Sequence, residues 1–279
     1  GDERDEQGGM AGVYGSGWVS AGFLQSDTMP IVTGYESESR ITVTKHFGTS
    51  FLVSDDGLAV SALHVLRSAK AYASENKQHV YAVGKPENGT GAGNVLSPIL
   101  YVHEGDTGSD LCVLETLYYA STKHRLFNND VTIWQRVATL GYPEEATDFN
   151  NPKISIALRG QKGIVQRVLL ESEVGGIEGL KKYELSFAAT VGMSGAPLFS
   201  YPGEDVLILG VILGTKESRQ EIIELTDFAD PKEKWRETTI KVNYYGIAAS
   251  IDHIKNVKLS PIYGNRKLSV HLSEKYQKS

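Results

Sequence analysis

Short apolar runs separated by glycine-rich or Asx–Gly turns dominate this chain, and few stretches carry a long helical pattern. Ile41–Thr44, Ser50–Val53, Leu58–Ser61, His79–Val83, Ile99–His103 and Asp110–Leu114 form a first group of such runs. Val137–Leu140, Lys153–Leu158, Gly163–Leu169, Lys182–Ser186, Pro197–Phe199, Val206–Leu213 and Tyr245–Ala249 form a second. Brief alternating or continuous apolar segments bounded by turn formers read as β-strands. Asp55-Asp56-Gly57, between two of them, reads as a tight hairpin turn. The 29 glycines supply the turns, and a hydrophobic fraction of 41% is enough for a sizeable core, so the chain reads as all-β.

The two groups imply two lobes within a domain spanning 39–255. The first lobe covers about 39–117, a link covers 118–130, and the second lobe covers 131–255. Residues 1–38, rich in glycine, serine and acids, read as a loose arm with strands at Gly17–Leu24 and Ile31–Thr33. Val65–Ala69 reads as one helical turn, and Ser250 as the N-cap of a short helix near the end of the second lobe. Residues 256–279 read as a linker to a further module or a strap over the lobes. Lys216–Thr239 is a charged insertion, either a solvated loop or a lid, with short helical turns at Glu221–Leu225 and Lys232–Trp235.

Three segments carry chemistry. Gly192-Met193-Ser194-Gly195-Ala196-Pro197 sets a serine between glycines, a geometry that exposes its hydroxyl on a tight turn. Ser61-Ala62-Leu63-His64 ends an apolar run at a histidine, and Ser109-Asp110 opens another run with an acid. A serine nucleophile needs a base, and histidine is the usual one near neutral pH. The base in turn needs a carboxylate to fix its tautomer. Asp106 rivals Asp110 for that role but lies in the loop sequence Gly105-Asp106-Thr107-Gly108. The order His64, Asp110, Ser194 is one of three known for this constellation.

These motifs, with Gly48-Thr49-Ser50-Phe51-Leu52-Val53 before the histidine, Gly141-Tyr142-Pro143, and Gly210-Val211-Ile212 after the serine, resemble the trypsin-like (chymotrypsin-fold) serine peptidases. The disulfide-free bacterial type with HtrA-like domains is the most similar, over roughly residues 40–255. The resemblance implies two six-stranded antiparallel β-barrels, with the active site in the cleft between them and a short C-terminal helix. It implies His64 as general base, Asp110 as orienting acid and Ser194 as nucleophile. The backbone amides of Gly192 and Ser194 would form the oxyanion hole. Ala188 and Ala189 would line the pocket for the residue before the scissile bond (P1), with Leu213, Gly214 and Thr215 as its far wall. Ala188 stands where a carboxylate would select Lys or Arg, so small or apolar P1 residues are expected. Met193 stands where secreted zymogens carry an acid that pairs with a newly cut N-terminus, so activation by that route is not expected.

A net charge of −6 with no basic cluster gives no sign of a nucleic-acid partner. No apolar stretch reaches the length of a membrane span. No Cys/His cluster has metal-ligand spacing, so no metal or cofactor is implied. Cys112, the single cysteine, precludes internal disulfides and sits in an apolar run as a small buried hydrophobe. The acidic start Gly1-Asp2-Glu3-Arg4-Asp5-Glu6 is unlike a signal peptide, so the expected location is cytoplasmic. The expected partners are protein or peptide substrates, with a regulatory partner or fused module as a further possibility. Two function classes stay open: a serine endopeptidase, and a peptidase-like module that binds peptides without cutting them. An esterase fits less well, because its strand–turn–helix G-x-S-x-G elbow is absent.

Overall fold

The computed structural model describes residues 24–37, 40–84, 94–118, 125–126, 131–148, 155–170, 180–200, 206–224 and 237–276. The first lobe is a closed antiparallel barrel of six strands: β1 (Thr28–Ser37), β2 (Arg40–Leu52), β3 (Leu58–Ala62), β4 (His79–Gly84), β5 (Val95–Glu104) and β6 (Leu111–Thr116). They close in the order β1-β2-β3-β6-β5-β4. Register shifts between Ile31 and Val32, and again between Thr33 and Gly34, bend β1 around the barrel. The barrel thus begins at Thr28, inside the segment read from sequence as an arm. Its strand there is longer than the expected Ile31–Thr33, and Leu24 lies in a helical segment rather than a strand. Residues 17–23 lie outside the described residues. The full extent of β1 escapes a periodicity reading because Thr28–Gly34 are buried at every position, with no alternation.

Helix α1 (Leu63–Asn76) plugs one side of this barrel with Leu63, Val65, Leu66, Ala69 and Ala73. It runs for 14 residues where a single turn was expected. Its alanines favour helix, no glycine or proline interrupts it, and it stops where Lys77 turns left-handed at φ 53°.

The second lobe is a ring made of β8 (Arg136–Gly141), β11 (Arg159–Leu169), β12 (Lys182–Leu185), β13 (Pro197–Ser200), β14 (Leu207–Glu224) and β15 (Glu237–Ser250). The order β13-β8-β11-β12-β15-β14 closes through a β13–β14 pairing. The short β7 (Arg125–Leu126), in the expected link, adds in parallel to β14. β9 (Thr147–Asp148) and β10 (Ser155–Ile156) form a separate two-stranded piece. Antiparallel pairing of β14 with β15 runs from Gly210↔Ser250 to Glu224↔Glu237. Much of the charged insertion is therefore β-ribbon, and Glu221–Glu224 is strand rather than a helical turn. Lys232–Trp235 lies outside the described residues. The β-branched Thr238, Thr239 and Ile240 face the Glu221–Ile223 segment, and this long-range pairing overrides the local helical pattern.

One apolar cluster joins the lobes. Phe51, Val60 and Val113 of the first barrel meet Phe199, Val211 and Ala249 of the second. Val257, Leu259, Leu268 and Leu272 from the C-terminal segment complete it. Ser250 caps the 3₁₀ turn Ile251–Ile254 by accepting the Asp252 amide. Beyond it the chain straps the first barrel, and the last described element is helix α2 (Leu268–Tyr276). Ser260 donates its amide (2.9 Å) and hydroxyl (2.7 Å) to the buried Glu115 carboxylate. His271 and Lys275 reach Asp56 in the β2–β3 turn, and the Tyr263 hydroxyl donates to the Asp56 carbonyl. Burial alone would raise the Asp56 pKa, but hydrogen bonds from His271, Ser54 and Lys275 hold it well below the usual carboxylate range. Among the described residues no helix is long and apolar enough to cross a membrane.

Candidate active site

His64 lies in the first turn of α1, and Asp110 sits just before β6. Asp110 Oδ2 is 2.6 Å from His64 Nδ1. Its other oxygen accepts the His64 amide at 2.9 Å, and its carbonyl accepts the Leu63 amide at 2.8 Å. Ala62, at the N-cap, offers no side-chain cap. The carboxylate therefore caps α1 from a neighbouring strand while holding the imidazole by Nδ1. The carboxylate thus meets the free amides at the N-terminal end of the helix. This reach requires φ 59° at Asp110, a left-handed conformation that aspartate tolerates better than most residues. Asp106, the rival acid, instead faces His253 at 3.3 Å.

Ser194 rides on the loop before β13, and the first barrel grips that loop. The Thr49 amide donates to the Ser194 carbonyl at 2.8 Å. The Thr49 hydroxyl donates to the Gly192 carbonyl at 2.9 Å and accepts the Tyr142 amide at 3.0 Å. Ser61 Oγ donates to the Thr49 carbonyl at 2.7 Å. Gly195, at φ +88°, presses so close that a Cβ would stand 1.9 Å from the Thr49 carbonyl oxygen. Gly192, at φ +91°, has the Tyr142 carbonyl oxygen 2.5 Å from the same position. Both positions therefore exclude a side chain on steric and conformational grounds.

Met193 is buried in the second barrel's core, with Sδ against Gly141. Apolar packing anchors the loop at the position where the resembled zymogens carry an acid. His46 lies beneath the same loop. Its Nε2 donates to the Gly48 carbonyl at 2.8 Å, while Nδ1 is buried without a partner. Burial pushes its pKa down, against smaller opposing effects from the Gly48 carbonyl and Glu144.

The Ser194 hydroxyl donates to the Leu213 carbonyl at 2.8 Å. Among the described residues His64 Nε2 has no hydrogen-bond partner, so the serine rotamer differs from the one a base would need. The amides of Gly192 and Ser194 likewise have no acceptor among the described residues. Gly214, at φ +150°, would place a Cβ 3.9 Å from Ser194 Oγ. The Thr215 hydroxyl donates to the Ala189 carbonyl at 2.6 Å, tying the two expected pocket walls together. Ala188 is half-buried beside the buried Ala189. Cys112 is buried, its Sγ 3.6 Å from the Ser61 carbonyl, and desolvation first of all pushes its pKa up and keeps it a thiol.

Sequence reading missed the roles of Thr49, Ser61, His46 and Gly141 in holding the loop. Thr49, Ser61 and His46 come near Ser194 only where the two barrels meet, and Gly141 only through the closure of the second barrel. The Gly48-Thr49-Ser50 motif carried the one signal for Thr49, without its hydrogen bonds.

A family model described as "trypsin-like peptidase domain" matches residues 48–210. No curated protein matches the chain. Among solved structures, the active form of the Rv3671c protease from M. tuberculosis is 14% identical, with a TM-score of 0.50. That match covers 84% of this chain and 80% of that one. An HtrA-type protease, AlgW, with a decapeptide is 10% identical at a TM-score of 0.53, covering 90% of this chain and 68% of that one. At these identities the likeness is one of fold.

Proposed function

Because the chain belongs to the trypsin-like peptidase family, we propose that it is a serine endopeptidase working through His64, Asp110 and Ser194. The observation that carries this reading is the 2.6 Å His64–Asp110 pair beside a serine loop gripped by the same barrel. In this mechanism Ser194 Oγ turns from the Leu213 carbonyl to His64 Nε2 and attacks the scissile carbonyl. His64 takes the hydroxyl proton, and Asp110 stabilises the imidazolium and holds its Nδ1–H. The Gly192 and Ser194 amides receive the oxyanion, each such donor being worth about 2.7–4 kcal/mol. His64 then protonates the leaving amine. Water, activated in turn by His64, hydrolyses the acyl-enzyme. With alanine at 188 and 189 and Thr215 bridging the walls, the P1 residue is small or apolar.

A second reading, a peptide-binding module that does not cut, draws on the resting Ser194–Leu213 hydrogen bond. A fluorophosphonate probe separates the two, since only a competent triad becomes labelled at Ser194. Cleavage of a peptide library should fall by on the order of a millionfold in Ser194→Ala. Undiminished cleavage in that variant rules the serine mechanism out. Preferred cleavage after Lys or Arg rules out the P1 assignment.

A further inference from the structure

The proposed triad is split between the barrels, and each barrel holds a loop that the other presents. The first barrel grips the Ser194 loop through Thr49. The reciprocal grip falls on the β5–β6 loop, which runs from Gly105 to Asp110 and carries the orienting acid. At one end of this loop Asp110 is tied to α1 through the Leu63 and His64 amides. At the other end stands His253, in the 3₁₀ turn that follows β15.

His253 meets the loop twice. Its carbonyl accepts the Asp106 amide at 2.8 Å, and its ring Nδ1 lies 3.3 Å from Asp106 Oδ2. A Cβ at Gly105 would stand 2.9 Å from the same carbonyl oxygen, so the loop packs against it with no room for a side chain. The other ring nitrogen faces the second barrel. There the Lys181 amide, just before β12, donates to Nε2 at 2.9 Å. An amide N–H can only donate, so Nε2 carries the lone pair and Nδ1 the proton. That tautomer aims Nδ1–H at the Asp106 carboxylate. His253 is 4% exposed, so a ring nitrogen that loses its partner has little water to turn to.

The loop needs such a hold. Gly108 and Asp110 both lie at positive φ, 79° and 59°, and Thr107 and Gly108 are exposed. A left-handed aspartate costs free energy that surrounding contacts must offset. The Asp106 carbonyl accepts the Ser109 amide at 2.9 Å, so a shift at Asp106 passes through one turn to Asp110.

We propose that His253 is a positioning residue for Asp110. It holds the β5–β6 loop from the second barrel and so sets the Asp110 carboxylate against His64 Nδ1. Asp106, the acid that rivals Asp110 in the sequence, is the handle by which the loop is held. The proposal rests on the peptidase reading. Release of the handle leaves the pocket walls at Ala188 and Thr215 in place and loosens the orientation of His64, so kcat falls while KM stays.

The test substitutes the exposed half of the contact. Asp106→Ala should lower kcat about fivefold to tenfold, the weight of one hydrogen bond in the transition state, with KM unchanged. Asp106→Asn keeps an acceptor oxygen for Nδ1–H and should restore kcat. The short His64–Asp110 hydrogen bond should give a far-downfield proton NMR signal, absent in Asp110→Asn. That signal should move upfield in Asp106→Ala and stay in place in Asp106→Asn. His253→Leu removes both ring contacts and should lower kcat further; if it fails to fold, the Asp106 variants decide. A lowered Tm in Asp106→Ala with kcat and the signal unchanged makes the contact structural only and overturns the proposal. Equal losses of kcat in Asp106→Ala and Asp106→Asn overturn it as well. A signal that moves in Asp106→Ala, in a chain that neither cleaves peptides nor labels at Ser194, overturns the peptidase reading and leaves the positioning of the His64–Asp110 pair standing.

Discussion

Asp110 does two jobs with one side chain, and substitutions separate them. Asp110→Asn keeps an oxygen that can accept the His64 amide but stops enforcing the imidazole tautomer. Turnover should fall by about 10⁴, as expected when a triad carboxylate becomes an amide, with little loss of stability. Asp110→Ala removes the helix cap as well and should cost a further ~1 kcal/mol of unfolding free energy. Equal stability of the two variants in denaturant titrations would remove the capping role. His46 supplies a pH dependence of opposite origin. Its folded-state pKa lies below the unfolded value, chiefly through desolvation, so the unfolded chain binds the extra proton more readily. Its share of stability is therefore full at neutral pH and is lost as pH falls below about 6.5. A proton on Nδ1 would stand buried without an acceptor beneath the Gly192 loop. Denaturation measured across this range should show the fall, and His46→Gln should flatten it.

Among the elements, the nucleophile loop is shaped more by what surrounds it than by its own sequence. Gly192 and Gly195 supply left-handed turns, but Thr49 on β2 and Met193 against Gly141 fix where those turns point. The glycines were legible because their conformational demand is local. The Thr49 side-chain hydrogen bonds were not, because they join residues 143 and 93 positions apart. Helix α1 shows the same limit. A helical turn at Val65–Ala69 was legible, but the start at Leu63 and the 14-residue length depend on the barrel wall that buries Leu66, Ala69 and Ala73. The β14–β15 ribbon is the strongest case. Its charged sequence fits a loop as well as a strand, and cross-strand pairing alone decides the matter.

At the scale of the whole molecule, one apolar cluster among the described residues is shared by both barrels and the C-terminal strap. Leu268 is fully buried in it, so Leu268→Ala should cost about 2–5 kcal/mol. If the strap is peripheral instead, denaturant titration will show a change below about 0.5 kcal/mol, as for a surface site. The strap's polar anchors add an acid sensitivity. Asp56 has a depressed pKa in the fold, so its contribution is present at neutral pH and is lost as pH falls below about 3.9, the unfolded value.

The sequence by itself determined the all-β class, the two groups of strands and the order His64, Asp110, Ser194. Those features are written in local periodicity, turn chemistry and short motifs. Only the tertiary structure decided that β1 belongs to the first barrel, that the C-terminal segment is a strap, and that much of the charged insertion is a ribbon. It also decided that Ser194 rests on the Leu213 carbonyl. Each of these follows from hydrogen bonds and burial between residues far apart in the chain, where a segment's partner, and not its own pattern, selects its conformation.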